Sequence, residues 1–183
     1  MINTKKVLVL PGWMTGITFY KTDSRDFDIC FGTLHERAHS AEYVIGVSLG
    51  ALVVLRDINH IKGNVILVNP PLPKRSFIAW VLRWLKYVAN EGLLLERQRF
   101  TYNPIKYSLE LINCIKLLSI DFSNVLDALP KEKVTVIRGT NDRFFCDDTA
   151  ATYVRSKNIR LIEFNGGHNL SEALEKTLNS VIS

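Results

Sequence analysis

Cysteine is scarce in this chain of 183 residues, which contains only Cys30, Cys114 and Cys146. An odd number of widely spaced cysteines argues against a disulfide framework and indicates a reducing compartment. A long apolar run is missing near the N-terminus as well, because residues 1–6 are mostly polar and the apolar run at residues 7–10 ends at Pro11. Such a run is too short for the core of a signal peptide or for a membrane span, so we expect a cytoplasmic protein.

The chain is also too short for two ordinary domains, although 47% of its residues are hydrophobic and can build one well-buried core. We therefore expect a single domain over residues 1–183. Acidic residues are rare between residues 73 and 106, where seven basic residues face only Glu91 and Glu96. The difference of five equals the whole formal net charge of +5. Such a cluster suggests an acidic partner or an anionic surface.

Short apolar runs that alternate with helical patterns determine the expected fold. Six runs have the length and composition of buried strands: Val7–Leu10, Phe27–Phe31, Tyr43–Val47, Val65–Val68, Val134–Ile137 and Leu161–Phe164. Helical patterns cover Leu49–Ile61, Thr149–Lys157 and Leu170–Val181. The alternation predicts an α/β fold, with a mostly parallel sheet of about six strands and helices on both faces.

Residues 73–130 interrupt this alternation because no strand pattern occurs there. The segment instead contains helical patterns over Ser76–Leu95, Pro104–Leu118 and Ser123–Leu129. We interpret residues 73–130 as an inserted helical cap.

Three polar residues follow predicted strands, where parallel sheets collect functional groups. Ser48 lies in Gly46-Val47-Ser48-Leu49-Gly50, between a strand and a helix, which is the context of a nucleophile elbow. A serine nucleophile needs a base to take its proton and an acid to orient that base. Asp142 and His168 follow later strands in the required order. We therefore expect Ser48, His168 and Asp142 to act as a catalytic triad.

These motifs together resemble the α/β-hydrolases over nearly the whole chain. The matching segments are VLVLPGW at residues 7–13, GVSLG at 46–50, VIRGTND at 136–142 and GGH at 166–168. The resemblance implies a compact α/β-hydrolase fold in which Ser48 is the nucleophile, Asp142 the acid and His168 the base. It also implies that the backbone N–H groups of Trp13 and Leu49 bind the oxyanion. No metal or organic cofactor is implied.

Within this family, the residues at 12–13 and 47–50 are similar to those of the pimeloyl-acyl-carrier-protein methyl ester esterases of biotin synthesis. The motifs there read approximately HGWG and GWSLGG. This chain has Pro11 in place of the histidine, Met14 and Ala51 in place of glycines, and Val47 in place of the tryptophan. The resemblance implies an ester substrate carried by an acyl carrier protein.

The first helix of the helical cap carries an aromatic stripe, with Phe77, Trp80, Trp84 and Tyr87 on one face. We expect this stripe to cover the site as a lid and to line an acyl pocket, so that Trp13, Trp80 and Trp84 contact the substrate. Arg83 and Lys86 interrupt the apolar positions and offer contacts to an acidic acyl carrier protein or to anionic lipid. No nucleic-acid reading motif accompanies the basic residues, so we expect no nucleic-acid partner.

The segment from His35 to His39 spells HExxH, in which two histidines one helical turn apart bind zinc and the glutamate activates water. The flanking strands leave barely two turns of helix, and the extended motif would need a glycine and a histidine where Glu42 and Ile45 stand. We therefore favour a short solvated helix and expect no metal.

Three residues near Asp142 compete with the expected triad. Asp147 and Asp148 are rival acids, but we expect one of them to be the N-cap of the helix that begins near Thr149. Cys146 has no elbow and no histidine at a suitable spacing, so we expect it to pack in the core.

The motifs favour a serine-dependent carboxylic ester hydrolase that acts through an acyl-enzyme on a small-molecule or acyl-chain ester. A lysophospholipase or thioesterase would use the same residues and stays an alternative. A second alternative, from another class, is a non-catalytic binding module on a hydrolase scaffold, with the helical cap as its partner surface.

Overall fold

The structure, a computed structural model, describes residues 6–12, 38–91 and 104–182, with only the backbone described for residues 91 and 104–111. Five strands in these ranges form one sheet in the order β1-β2-β3-β4-β5, and every neighbouring pair is parallel. They are β1 (Val7–Leu10), β2 (Tyr43–Val47), β3 (Asn64–Val68), β4 (Val134–Gly139) and β5 (Arg160–Phe164). The strand predicted at residues 27–31 lies outside the described residues.

Six α-helices accompany the strands in the described part of the chain. They are α1 (Leu49–Arg56), α2 (Phe77–Glu91), α3 (Pro104–Ser119), α4 (Ser123–Ala128), α5 (Asp148–Ser156) and α6 (Glu172–Ile182). Two short 3₁₀ turns cover Ile58–His60 and Lys131–Lys133. None of the described helices is long and apolar enough to cross a membrane.

Side chains alternate between the two faces of the sheet, as the pleat of a strand requires. Leu8 therefore lies in a larger hydrophobic core and Val9 in a smaller one on the opposite face. Right-handed crossovers between neighbouring parallel strands place the connecting helices on the same face. The larger core accordingly receives Leu52, Leu117, Leu126 and Val154 from α1, α3, α4 and α5. Helix α6 covers the smaller core with Leu174 and Leu178, which confirms the prediction of helices on both faces.

Helix α1 is shorter than predicted, because it ends at Arg56 and not at Ile61. Asp57 leaves the helical conformation, with φ −105° and ψ 15°, and residues 58–60 continue as a 3₁₀ turn. The apolar residues of this segment therefore belong to two consecutive elements, α1 and the 3₁₀ turn. Their periodicity in the sequence does not show where the first ends.

The connection between β3 and β4 contains α2, α3 and α4, and its described part, residues 69–91 and 104–133, contains no strand. Cys114, Leu117 and Leu126 of this connection are buried in the larger core. Helices α3 and α4 thus form part of the layer that covers the sheet. Among the described elements of the helical cap, α2 reaches the candidate site through Tyr87.

Truncation of Leu67 should test how much the central strand contributes to stability. Leu67 on β3 is fully buried in the larger core, so Leu67→Ala should lower the free energy of unfolding by about 2–5 kcal/mol in urea denaturation. Leu82→Ala is the control, because Leu82 on α2 is 53% exposed and should cost less than about 0.5 kcal/mol. Equal losses in the two variants would contradict the assignment of the core.

Candidate active site

Ser48 lies in a strained turn between β2 and α1. Its backbone has φ 53° and ψ −120°, in a region that residues other than glycine rarely adopt. The Ser48 N–H donates a hydrogen bond of 2.8 Å to the carbonyl of Val68, at the end of β3. The turn is therefore tied to the neighbouring strand at the residue that carries the hydroxyl.

Two glycines make this turn possible because a side chain at either position would collide with backbone. A Cβ atom on Gly46 would lie 2.6 Å from the Cα atom of Ala51, where β2 meets the first turn of α1. A Cβ atom on Gly50 would lie 2.4 Å from the carbonyl oxygen of Leu10, at the end of β1. The helix can start this close to the sheet only without those atoms.

His168 lies between the other two residues of the predicted triad. Its Nε2 atom is 2.9 Å from the Ser48 hydroxyl oxygen, and its Nδ1 atom is 2.6 Å from Oδ2 of Asp142. An ionised carboxylate can only accept, so Nδ1 carries the proton of that hydrogen bond and Nε2 is free to accept from the serine. The structure thus brings together three residues that lie far apart in the sequence.

Asp142 is held ionised by His168 and by the turn that follows the acid. Burial alone raises the pKa of this carboxyl group, but His168 and the hydrogen bonds it accepts lower the pKa below the ordinary value. Its Oδ1 atom accepts from the N–H groups of Phe144 and Phe145, and Oδ2 accepts from that of Cys146. These donors fix the orientation of a carboxylate that is only 1% exposed.

Of the two predicted oxyanion donors, the structure describes Leu49 and does not describe Trp13. The N–H of Leu49 belongs to the first turn of α1, so no carbonyl of that helix accepts from it. It directly follows Ser48 and lies at the positive end of the helix dipole. Trp13 lies outside the described residues, so its part in this site stays a prediction.

Aromatic side chains surround His168 on the side of the helical cap. The Tyr87 ring on α2 meets the His168 ring edge-on at 5.8 Å, and the Phe145 ring lies 4.6 Å from the same imidazole. The Tyr87 hydroxyl donates a hydrogen bond of 2.7 Å to the side-chain oxygen of Asn169. Trp80 is buried and stacks on Phe145 at 6.5 Å. The site therefore has an apolar wall that belongs partly to α2.

The predicted aromatic stripe is not uniformly covered. Trp80 is buried and Trp84 and Tyr87 are half-buried, whereas Phe77 is 53% exposed. The three covered residues form the inner face of α2.

Asp147 anchors the helical cap to the loop that carries the acid. It accepts salt bridges from Arg75 at 2.7 Å and from Arg83 at 2.8 Å. Arg83 also donates a hydrogen bond to the carbonyl of Phe144. Lys86, one turn further along α2, is exposed. Of the two basic residues predicted to contact a substrate or partner, Arg83 is therefore paired within the protein, whereas Lys86 is exposed to solvent.

Comparison with known proteins identifies the fold. No family model and no curated protein sequence matches the chain. A carboxylesterase of the thaumarchaeon Nitrososphaera gargenis matches 98% of this chain over 90% of its own, at 10% identity and a TM-score of 0.61. An esterase of Pyrococcus furiosus matches 97% of this chain over 80% of its own, at 17% identity and a TM-score of 0.59. The chain has the α/β-hydrolase fold.

Structures of this fold with other described activities match as well. The thioesterase domain of the curacin biosynthetic pathway matches 97% of this chain over 90% of its own, at 14% identity and a TM-score of 0.52. The α/β-hydrolase prediction is thus confirmed at the level of the fold, with five described strands against about six expected.

The residues that compete with Asp142 have other partners. Asp147 is the N-cap of α5 and accepts from the N–H of Ala150, as expected for one of the two neighbouring aspartates. Asp148 accepts from Arg138 at 2.5 Å. Cys146 is fully buried, and burial together with the charge of Asp142 raises the pKa of its thiol well above the ordinary value. A thiol of this kind is a poor nucleophile.

Metal ligands do not cluster in the described part of the chain, where no group of three or more His, Cys, Asp or Glu side chains could hold an ion. Of the HExxH segment, the structure describes only Ala38 and an exposed His39. His35 and Glu36 lie outside the described residues, so the expectation of a short solvated helix is not tested.

Asn69 was not predicted as a site residue, although it contacts the backbone of His168 and directly follows Val68, which accepts from the N–H of Ser48. It directly follows β3, is fully buried and has φ 46°. Its amide bonds the carbonyl of His168 at 3.0 Å. The available signal was its position after a predicted strand, the same signal that selected Asp142.

Replacement of Asp142 should change how stability depends on pH. Because the pKa of Asp142 is lower in the folded protein than in the unfolded chain, its ionised form stabilises the fold at neutral pH. That contribution begins to fall when the pH drops below the pKa of the unfolded carboxyl group, about 4. It is lost when the pH passes the lower pKa of the folded protein. Urea unfolding should therefore show a stability gap between the unmodified protein and Asp142→Asn that narrows below about pH 4. A gap that stays constant in acid would contradict this account.

Proposed function

We propose that the protein is a serine-dependent carboxylic ester hydrolase of the cytoplasm, with Ser48 as nucleophile, His168 as general base and Asp142 as the acid that orients it. The observation that carries the proposal is the continuous pair of hydrogen-bond contacts, 2.9 Å from Ser48 to His168 and 2.6 Å from His168 to Asp142. This is the geometry that activates a hydroxyl group as a nucleophile.

The reaction would proceed through an acyl-enzyme. His168 Nε2 takes the hydroxyl proton as Ser48 Oγ attacks the ester carbonyl, and Asp142 stabilises the imidazolium that forms. The N–H of Leu49, with that of Trp13, stabilises the negative oxygen of the tetrahedral intermediate. The imidazolium then gives its proton to the leaving alcohol. A water molecule, activated by the same imidazole, attacks the acyl-enzyme and releases the acid.

The aromatic wall supports a substrate with an apolar portion. Tyr87 and Phe145 lie beside the imidazole, Trp80 stacks on Phe145, and the three rings offer apolar surface to an acyl chain. Trp84 and Trp13 belong to the same proposed pocket. Hydrolysis of a thioester would use the same residues, since only the leaving atom differs.

We further propose that the acyl chain is presented by an acidic carrier such as acyl carrier protein, as in the methyl ester esterases that the motifs resemble. Lys86 is suited to this contact, because it is exposed beside the aromatic face of α2. Arg83 supports the contact indirectly, since it holds α2 against Phe144 and Asp147.

Removal of the Ser48 hydroxyl should abolish turnover without unfolding the protein. Ser48→Ala should lower kcat for a p-nitrophenyl ester by about 10⁴-fold or more and should prevent labelling by a fluorophosphonate probe. Ser156→Ala is the matched control, because Ser156 is an exposed serine on α5 whose hydroxyl bonds its own helix. Labelling of Ser48→Ala would eliminate Ser48 as nucleophile. An unmodified protein that takes up no probe would favour a binding module on a hydrolase scaffold.

Charge reversal at Lys86 should separate carrier recognition from chemistry. Lys86→Glu should raise KM for a methyl ester linked to acyl carrier protein by about tenfold, because an attractive contact becomes repulsive, and should leave a small soluble ester unaffected. Lys133→Glu is the control, since Lys133 is exposed before β4, at the opposite end of the sheet. Equal effects of Lys86→Glu on both esters would rule out the carrier contact.

A further inference from the structure

The amide of Asn69 links three parts of the site through hydrogen bonds. Its Oδ1 atom accepts from the N–H of Gly139 at 2.8 Å. Its Nδ2 atom donates to the carbonyls of Gly167 at 3.2 Å and His168 at 3.0 Å. One side chain thus joins the end of β3 to the end of β4 and to the histidine loop.

These contacts determine which way the amide faces. A flipped amide would place its NH₂ group against the N–H of Gly139 and its oxygen against two carbonyl oxygens. Both amide hydrogens and the amide oxygen have partners in the observed orientation, and the side chain is fully buried. Loss of the amide would leave buried backbone groups unsatisfied, which is costly in a dry environment.

The backbone of Asn69 is suited to this position and to few other residue types. Its φ of 46° lies in the left-handed region, which asparagine tolerates better than most residues. Its N–H donates 2.8 Å to the carbonyl of Ile137 on β4. The preceding residue, Val68, accepts from the N–H of Ser48. The nucleophile and the histidine loop are therefore fixed to consecutive residues.

Asp142 is linked to Asn69 by hydrogen bonds through Gly139. The N–H of Asp142 donates 3.0 Å to the carbonyl of Gly139, whose own N–H is held by Asn69. Gly139 also lies against the histidine loop, where an added Cβ would lie 2.4 Å from the carbonyl oxygens of Gly166 and Gly167. Acid loop and base loop are thus in direct backbone contact beside the Asn69 amide.

We propose that Asn69 is a positioning residue, which holds the backbone of His168 so that its ring reaches Ser48 on one side and Asp142 on the other. The inference rests on the proposed function of that site. Asn69 acts through His168, because its amide hydrogens bond the backbone carbonyls of His168 and of Gly167, the residue before it. Loss of the amide would allow the histidine loop to shift, and a misplacement of about 1 Å can cost about 100-fold in rate.

Asn69→Gly tests the amide alone. Glycine adopts a φ of 46° without strain, so the substitution removes the side chain without disturbing the backbone. We expect it to stay folded while kcat for a p-nitrophenyl ester falls about 10- to 100-fold at nearly unchanged KM. The rate of fluorophosphonate labelling should fall by a similar factor. Asn69→Asp should behave likewise, since a carboxylate donates to neither carbonyl.

Asn158→Gly is the matched control, because Asn158 also has a positive φ, of 55°, but is exposed at the end of α5. It should leave kcat and labelling unchanged. Rates are expressed per folded molecule, so that a merely structural role of Asn69 would lower the yield of folded protein and not the rate. An unchanged kcat and labelling rate in folded Asn69→Gly would overturn the proposal.

A second measurement is independent of turnover. The proton between His168 Nδ1 and Asp142 should give a low-field ¹H NMR signal in the unmodified protein, and this signal should shift or broaden in Asn69→Gly but not in Asn158→Gly. An identical signal in all three proteins would overturn the positioning role. Failure of the proposed hydrolase function would appear separately, as an unmodified protein that takes up no probe at Ser48.

Discussion

The carboxyl ends of five parallel strands meet at one edge of the sheet, and the arrangement of the site depends on this constraint. Ser48 follows β2, Asn69 follows β3, Asp142 follows β4 and His168 follows β5. Parallel pairing in unbroken register brings these strand ends within reach of one another, although the residues are as much as 120 positions apart in the chain. Backbone hydrogen bonds between the loops, such as that from Ser48 to Val68, then fix their separation.

Much of this fold could be predicted from the sequence, because a strand buried on both faces is a continuous apolar run and needs no knowledge of its neighbours. The strands at 7–10 and 43–47 match the predicted bounds for this reason. The roles of Ser48, Asp142 and His168 were suggested by glycine-rich turns after such runs. The contacts of Asn69 were not predictable, because they join its amide to Gly139 and His168, which no local pattern connects to residue 69.

The exposed charge of the helical cap could not be predicted from the sequence either. Sequence alone treats Arg83 and Lys86 as equal members of a basic cluster, since they are three residues apart on one helix. The structure separates them, because Asp147 is close enough to pair with Arg83 whereas Lys86 stays exposed. Only the position of α5, whose N-cap is Asp147, determines this difference. A count of basic residues therefore overstates the charge that a partner would meet.

Asp147 has a wider consequence for how such a protein can change over evolutionary time. The Asp147 carboxylate caps the N-terminus of α5, pairs with Arg75 and Arg83 of the helical cap, and lies five residues after Asp142. Arg83 on α2 can therefore not change without effect on the loop of the acid, because its replacement would remove one of the two cations that pair with Asp147. The outer side carries the exposed apolar side chains of Ile78, Leu82 and Leu85, which cannot form salt bridges. Residues on that outer surface can therefore change without disturbing the contacts between α2 and the loop of the acid.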